Sequence, residues 1–142
     1  MNAIFQMTVS ATSPGAVLDI KLNGDSKWQG SVGNDSAVIS FEVNDSEETQ
    51  HELTIEMSGK TQEHTRIDDQ GNIISDLLVT IKDITLDSIP LDQNMPELCS
   101  YHHDFNGNGP ATQEKFYGTM GCNGVVIMPF YTPVYLWLLE IV

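Results

Sequence analysis

The stretch LLVTIKDITLDSI, residues 77–89, decides how this chain must fold. Val79 and Ile81 share one parity along it, whereas Ile84 and Leu86 share the other. Alternating apolar and polar residues mark a strand with one buried face. A continuous strand would therefore turn Ile84 and Leu86 away from the core. A β-bulge or bend near Lys82–Asp83 restores them, and bulges often border a site. A strand that crosses from one sheet to another at a corner accounts for the same pattern. Both readings are expectations about a two-layered β structure.

The rest of the chain agrees with that class. AIFQMTV (3–9), VLDIKLN (17–23), AVISFEV (37–43) and HELTIEM (51–57) each alternate, with Leu18, Ile20 and Leu22, and Leu53, Ile55 and Met57, as inward sets. Turn clusters at 13–15, 23–26, 32–36, 44–48 and 58–60 separate these runs. Short strands at such spacing predict an all-β, antiparallel β-sandwich of jelly-roll type. VVIMPFY (125–131) and VYLWLLE (134–140) follow, joined at Thr132–Pro133. Pro129 places the first of these at a sheet edge or strand end. The second, with Leu136, Leu138 and Leu139, reads as a closing strand or a short helix, and the strand is preferred. Residues 1–142 are expected to form one domain with a long irregular loop region at about 87–124.

A chain of 142 residues can bury a core without disulfide or metal staples. Its formal net charge of −14, with Arg66 and five scattered lysines, excludes a phosphate-binding surface and so a nucleic-acid partner. Cys99 and Cys122 are too few for a disulfide framework, and whether they pair depends on their separation in the fold. MNAIFQMTVSATSPG has neither the basic region nor the apolar core of a secretion signal, and no apolar run reaches membrane-spanning length. No membrane partner is expected.

Residues 99–142 are written in a different alphabet. Tyr101, Phe105, Phe116, Tyr117, Phe130, Tyr131, Tyr135 and Trp137 lie there, and Asp104, Glu114, Lys115 and Glu140 are its only charges. Phe130, Tyr135 and Trp137 read as core. Tyr101, His102, His103, Phe105, Phe116 and Tyr117 are the candidates for partner or glycan contact, since glycine-flanked rings offer flat faces to sugars and to protein interfaces. Asp104-Phe-Asn106-Gly-Asn108-Gly109 matches the first half of a calcium loop, but Lys115 stands where the closing Glu belongs. A calcium site of another kind would use Asp104, Asn106, Asn108 and Glu114. The alternative is an Asn/Gly turn without metal, because these residues accept left-handed backbone angles. Cys99, His102, His103 and Cys122 lack the paired spacing of structural zinc sites. No serine-nucleophile elbow, zinc-protease helix or phosphate loop is present. No catalytic residues, and no certain cofactor, are therefore assigned. A polysaccharide hydrolase with two opposed carboxylates is the minority reading.

Two stretches carry a family resemblance. Residues 57–91 and 101–140, with H-T-x-I-D (64–68), FNGNG (105–109), FYGTMGCNG (116–124) and TPVYLWLLE (132–140), resemble small virion-associated proteins of tailed marine cyanophages. DITLDSIPL (83–91) is similar, more weakly, to strands of calcium-dependent xylan-binding jelly-roll modules, which hold calcium with loop Asp and Asn residues beside an exposed aromatic. The N-terminal stretch departs from those modules. The first resemblance implies a non-enzymatic virion accessory protein of capsid, neck or tail, assembled in host cytoplasm against other virion proteins in symmetric copies. The second implies a calcium-dependent carbohydrate-binding module that contacts polysaccharide.

Overall fold

The computed structural model describes residues 2–141. Five long strands open the chain: β1 (Asn2–Ala11), β2 (Ala16–Leu22), β3 (Asp25–Val32), β4 (Ala37–Asn44) and β5 (Thr49–Ser58). A short ribbon, β6 (Arg66–Ile67) and β7 (Ile73–Ser75), precedes β8 (Val79–Leu86) and β9 (Ile89–Pro90). Then come α1 (Met95–Leu98), β10 (Ser100–His103), β11 (Thr112–Lys115), β12 (Thr119–Met120), β13 (Gly124–Thr132) and α2 (Val134–Ile141). One antiparallel sheet runs β12-β8-β1-β4 with β9 on β8, and the other runs β11-β10-β13-β5-β2-β3.

The two sheets face each other as a jelly-roll-like β-sandwich, and their alternating residues make the core. Leu18, Ile20 and Leu22, and Leu53, Ile55 and Met57, are all buried, as their parity requires. Phe5 of β1 stacks on Phe41 of β4 at 5.5 Å and meets Phe130 of β13 across the layers at 6.1 Å. Each such fully buried side chain contributes about 1.5–3 kcal/mol relative to an exposed one.

The parity slip in residues 77–89 is a bulge. Gln6 pairs with Thr85 and Thr8 with Lys82, so two steps on β1 span three on β8, and Asp83 takes φ +53°. Val79, Ile81, Ile84 and Leu86 are consequently all buried on one side of a single sheet. The strand does not cross between sheets. A bulge frees backbone donors, and Asp92 captures them: Asp83 N–H donates to Asp92 Oδ2 at 2.9 Å and Ile84 N–H to Oδ1 at 2.8 Å.

Three expectations are corrected. Pro129 lies inside β13, the third of six strands; β10 pairs with β13 only from Gly124 to Ile127, so the flank beside Pro129 has no ladder to break. The last run is helix α2, because Val134, Trp137, Leu138 and Ile141 fall at i, i+3, i+4 and i+7 and turn one face to the core. Tyr135, expected in the core, is 61% exposed on the opposite face. The supposedly irregular region 87–124 also holds β9 to β12 and α1. Strand β3 escapes the sequence reading because DSKWQGSV is an edge strand with little apolar content. The Asn23-Gly24 turn that leads into it takes φ +54° and +87°, as a two-residue hairpin of right-handed twist demands.

His51 of β5 ties that hairpin to the end of β13. Asn23 Nδ2 donates to His51 Nδ1 at 2.9 Å, His51 Nε2 donates to Thr132 Oγ1 at 3.1 Å, and Thr132 donates to the Glu47 carbonyl at 2.6 Å. The ring stacks on Phe130 at 5.1 Å. It is the neutral ring that accepts at Nδ1, and burial holds its pKa below the ordinary 6.5.

Two measurements check this account. Asp92→Ala strands two backbone donors at the bulge and should cost about 1–3 kcal/mol in urea unfolding. Asp92→Asn, which keeps one acceptor, should fall between it and wild type; equal stability of all three would show that the bulge holds itself. For His51 the unfolded ring binds a proton more readily than the folded one, so stability present above the unfolded pKa is lost as pH falls through the folded value. Between about pH 7.5 and about pH 5.5 the melting temperature of His51→Gln should therefore decline less than that of wild type.

Candidate functional site

Strand β10 sits between β11 and β13, with His102 opposite Gln113 and Val125, and His103 opposite Thr112 and Gly124. Adjacent residues of a strand point to opposite faces. His103 accordingly turns inward and is 9% exposed, while His102 remains half-buried on the outer face. Where β10 leaves the sheet, His102, Asp104, Thr112, Gln113 and Asn123 border a cleft of roughly 510 Å³, floored by His103 and Gly124. Phe105 adjoins it, 44% exposed, with its ring edge-on to His103 at 4.7 Å.

The loop between β10 and β11 is built by its Asn/Gly content. Phe105, Asn106 and Gly107 take φ +56°, +59° and +85° in succession, so the turn needs residues that tolerate the left-handed region. Asp104 Oδ1 accepts the Gly107 N–H at 2.9 Å, and the Asp104 carbonyl accepts Gly109 N–H at 3.1 Å. Asn106 Oδ1 accepts the Asn123 N–H at 2.8 Å and so fastens this loop to the one before β13. That second loop is anchored in turn. The Asn123 side chain accepts the Lys60 N–H at 3.0 Å and donates to the Lys60 carbonyl at 2.9 Å.

Lys60 is a buried cation met by two acceptors. Its ammonium lies 2.7 Å from Asp76 Oδ1 and donates to the Gly121 carbonyl at 2.6 Å. Burial pushes the Asp76 carboxyl up, but the Lys60 ammonium, the Thr65 hydroxyl and the Leu77 N–H outweigh it and hold it below its ordinary value. Gly124 has no room for a side chain: a Cβ there would collide with the His102 carbonyl oxygen. The cleft is thus a pre-formed feature of three fastened backbones.

The structure divides the six contact candidates. Tyr101 and Phe116 are buried core residues, a correction to their reading as contact residues, while His103, also buried, floors the cleft. Tyr101 packs edge-on against Phe116 at 6.2 Å, its hydroxyl bonds both backbone groups of Cys122, and burial pushes its phenol up to about 12. Their spacing outside clear strand patterns hid this, because β10 is only four residues long. His102 lines the cleft, and Phe105 stands beside it against His103. Tyr117, 76% exposed, stands apart at the edge of the other sheet, in a shallow hollow with Lys82, Asp92 and Thr119. Thr112 and Gln113 were missed, since TQEK carries no pattern that separates a site from a solvated strand.

Of the four residues considered for calcium, Asp104 and Asn106 spend a side-chain oxygen on loop N–H groups, and Glu114 lies 3.4 Å from His103 Nε2. Asn108 stays at the tip of the turn, where its N–H donates to the Phe105 carbonyl at 3.1 Å. Through these bonds Asp104 and Asn106 hold the loop together. Among the described residues no three His, Cys, Asp or Glu side chains gather as a metal-holding group. Cys99 and Cys122 are free thiols, and burial pushes Cys99 up to about 12. Ser100 Oγ and His102 Nε2 do approach to 2.8 Å. A serine nucleophile also needs its base oriented by a third group, and none bonds His102 Nδ1 among the described residues.

No family model matches this chain, and no curated protein matches it either. Among solved structures it is similar to one described as vCBM60 in complex with galactobiose, with a TM-score of 0.54 and 9% sequence identity, over 88% of this chain and 96% of that one. At that identity the likeness is one of fold.

Proposed function

We propose that this chain is a non-catalytic polysaccharide-binding domain whose site is the cleft between β10, β11 and the loop before β13. The observation that supports it most is the composition of that cleft. His102, Asp104, Thr112 and Gln113 offer ring-nitrogen, carboxylate, hydroxyl and amide groups beside the exposed Phe105 ring. Sugar hydroxyls both donate and accept, so they are matched by mixed amide and carboxylate partners, while the apolar face of a pyranose stacks on a flat ring. Asp104 has one oxygen committed to Gly107 and a second left for a ligand. The fold is shared with a structure that holds a disaccharide, which favours a sugar over other polar ligands of similar size. A net charge of −14, and no Lys or Arg in the cleft, favour neutral glycans over uronates and sulfated sugars.

The virion role implied by residues 57–91 and 101–140 is a separate reading. It rests on that sequence resemblance, and the structural likeness adds nothing to it.

A glycan array run in calcium and again in chelator tests the first reading. Binding to a neutral polysaccharide is expected, with Phe105→Ala and Gln113→Ala each weakening it about ten-fold and Tyr117→Ala leaving it unchanged. No binding in either buffer, or loss through Tyr117 alone, would refute the cleft assignment; equal binding in both buffers would show that the 104–109 turn acts without a cation. The second reading is checked by mass spectrometry of purified particles. It expects the chain in stoichiometric amount, and absence from intact virions would end it.

A further inference from the structure

We infer that the apolar groove between α2 and β9 docks the apolar face of a basic amphipathic helix from a partner protein. The groove has a volume of roughly 510 Å³, and Ile89, Pro90, Leu91, Tyr135, Leu138 and Leu139 form most of its wall. It shares no residue with the cleft at β10, so the inference is independent of the glycan reading.

Helix α2 carries the first argument. A surface helix ordinarily sets one apolar stripe against the core and leaves the opposite side polar. Here Val134 and Trp137 are buried, and Leu138 and Ile141 pack partly against the core. Yet the outward side is apolar as well. Tyr135 is 61% exposed, Leu136 39% and Leu139 70%, and Ile89 across the groove is 46% exposed. Glu140 is the one charged residue of the helix. Contiguous apolar surface of this kind marks a contact site when charged residues surround it.

Charge decides what the contact is. Asp87 is the one charged residue that lines the groove. The carboxyl end of α2 adds the negative pole of its dipole. No Lys or Arg lines the groove, and the whole chain stands at −14. A second copy would bring the same negative charge against this one and be repelled, so the complementary partner is one whose leucine-like side chains are flanked by Lys or Arg. Its form is helical. Strand β9 is two residues long, too short to template an added strand, whereas the eight-residue α2 presents ridges along which another helix can pack.

The probe is a synthetic Leu/Lys helix with leucines at i, i+3, i+4 and i+7, titrated into the isotope-labelled full chain. Two controls accompany it: a scrambled Leu/Lys peptide of equal charge and a Leu/Glu peptide of equal pattern. The expected result is saturable binding of the first alone, with amide shifts centred on Ile89, Tyr135 and Leu139. Leu139→Gln and Tyr135→Ser alter exposed side chains, should leave the melting temperature near wild type, and should each weaken binding about ten-fold. Equal binding of the scrambled peptide would reduce the effect to bulk charge and overturn the inference, as would shifts centred elsewhere. Concentration-dependent dimerisation that Leu139→Gln abolishes would overturn it in favour of a second copy. Retention on phosphatidylserine vesicles that the same substitution abolishes would overturn it in favour of a lipid surface.

Discussion

The Asp92 carboxylate accepts the Asp83 and Ile84 N–H groups at 2.9 and 2.8 Å and so holds the bulge that turns both apolar pairs of β8 to one core. Without the extra residue, Ile84 and Leu86 would face solvent while Val79 and Ile81 stayed inside. Much of the first sheet follows from this clasp. Strand β1 pairs with β8 on either side of the slip, β9 folds back on Leu86, and Leu91 N–H reaches the Ile84 carbonyl at 2.8 Å. Leu91 then becomes part of the groove beneath α2. A single carboxylate, two turns of chain away from the strand that it completes, therefore positions a surface as well as a layer.

The second sheet depends on a different polar device. Lys60 is buried, which would be costly for a lone ammonium, but Asp76 and the Gly121 carbonyl meet it at 2.7 and 2.6 Å. Its backbone holds Asn123, and Asn123 holds Asn106, so three loops distant in sequence close on one cleft. In low-dielectric surroundings such a network is rigid because each member would be left unsatisfied by movement of another. Rigidity of this kind suits a binding site, where side chains that are already ordered lose little freedom when a ligand arrives.

The two surfaces differ in physical character. The cleft at β10 and β11 is open and lined mainly by polar side chains. The groove along α2 is apolar, with Asp87 at its margin. Both belong to a chain whose net charge of −14 works against anionic ligands.

Local periodicity by itself determined the β class, the inward sets of β2 and β5, the parity slip near Lys82–Asp83 and the turn at Asn23-Gly24, because each is a matter of neighbouring residues on a pleated chain. That the slip is a bulge and not a crossing between sheets was decided by the pairing of β8 with β1. The i, i+3, i+4, i+7 spacing of Val134, Trp137, Leu138 and Ile141 was also legible, but their aromatic and β-branched neighbours masked it as a strand. Only tertiary structure decided that Tyr101 and Phe116 are core and that His103 floors the cleft, while Phe105 and Tyr117 reach solvent in different places. It alone brought Thr112 and Gln113 beside His102, and Lys60 beneath Asn123. Those placements depend on which strands pair and which loops share a hydrogen bond across 63 residues of chain, and no repeat within a single segment records such partners.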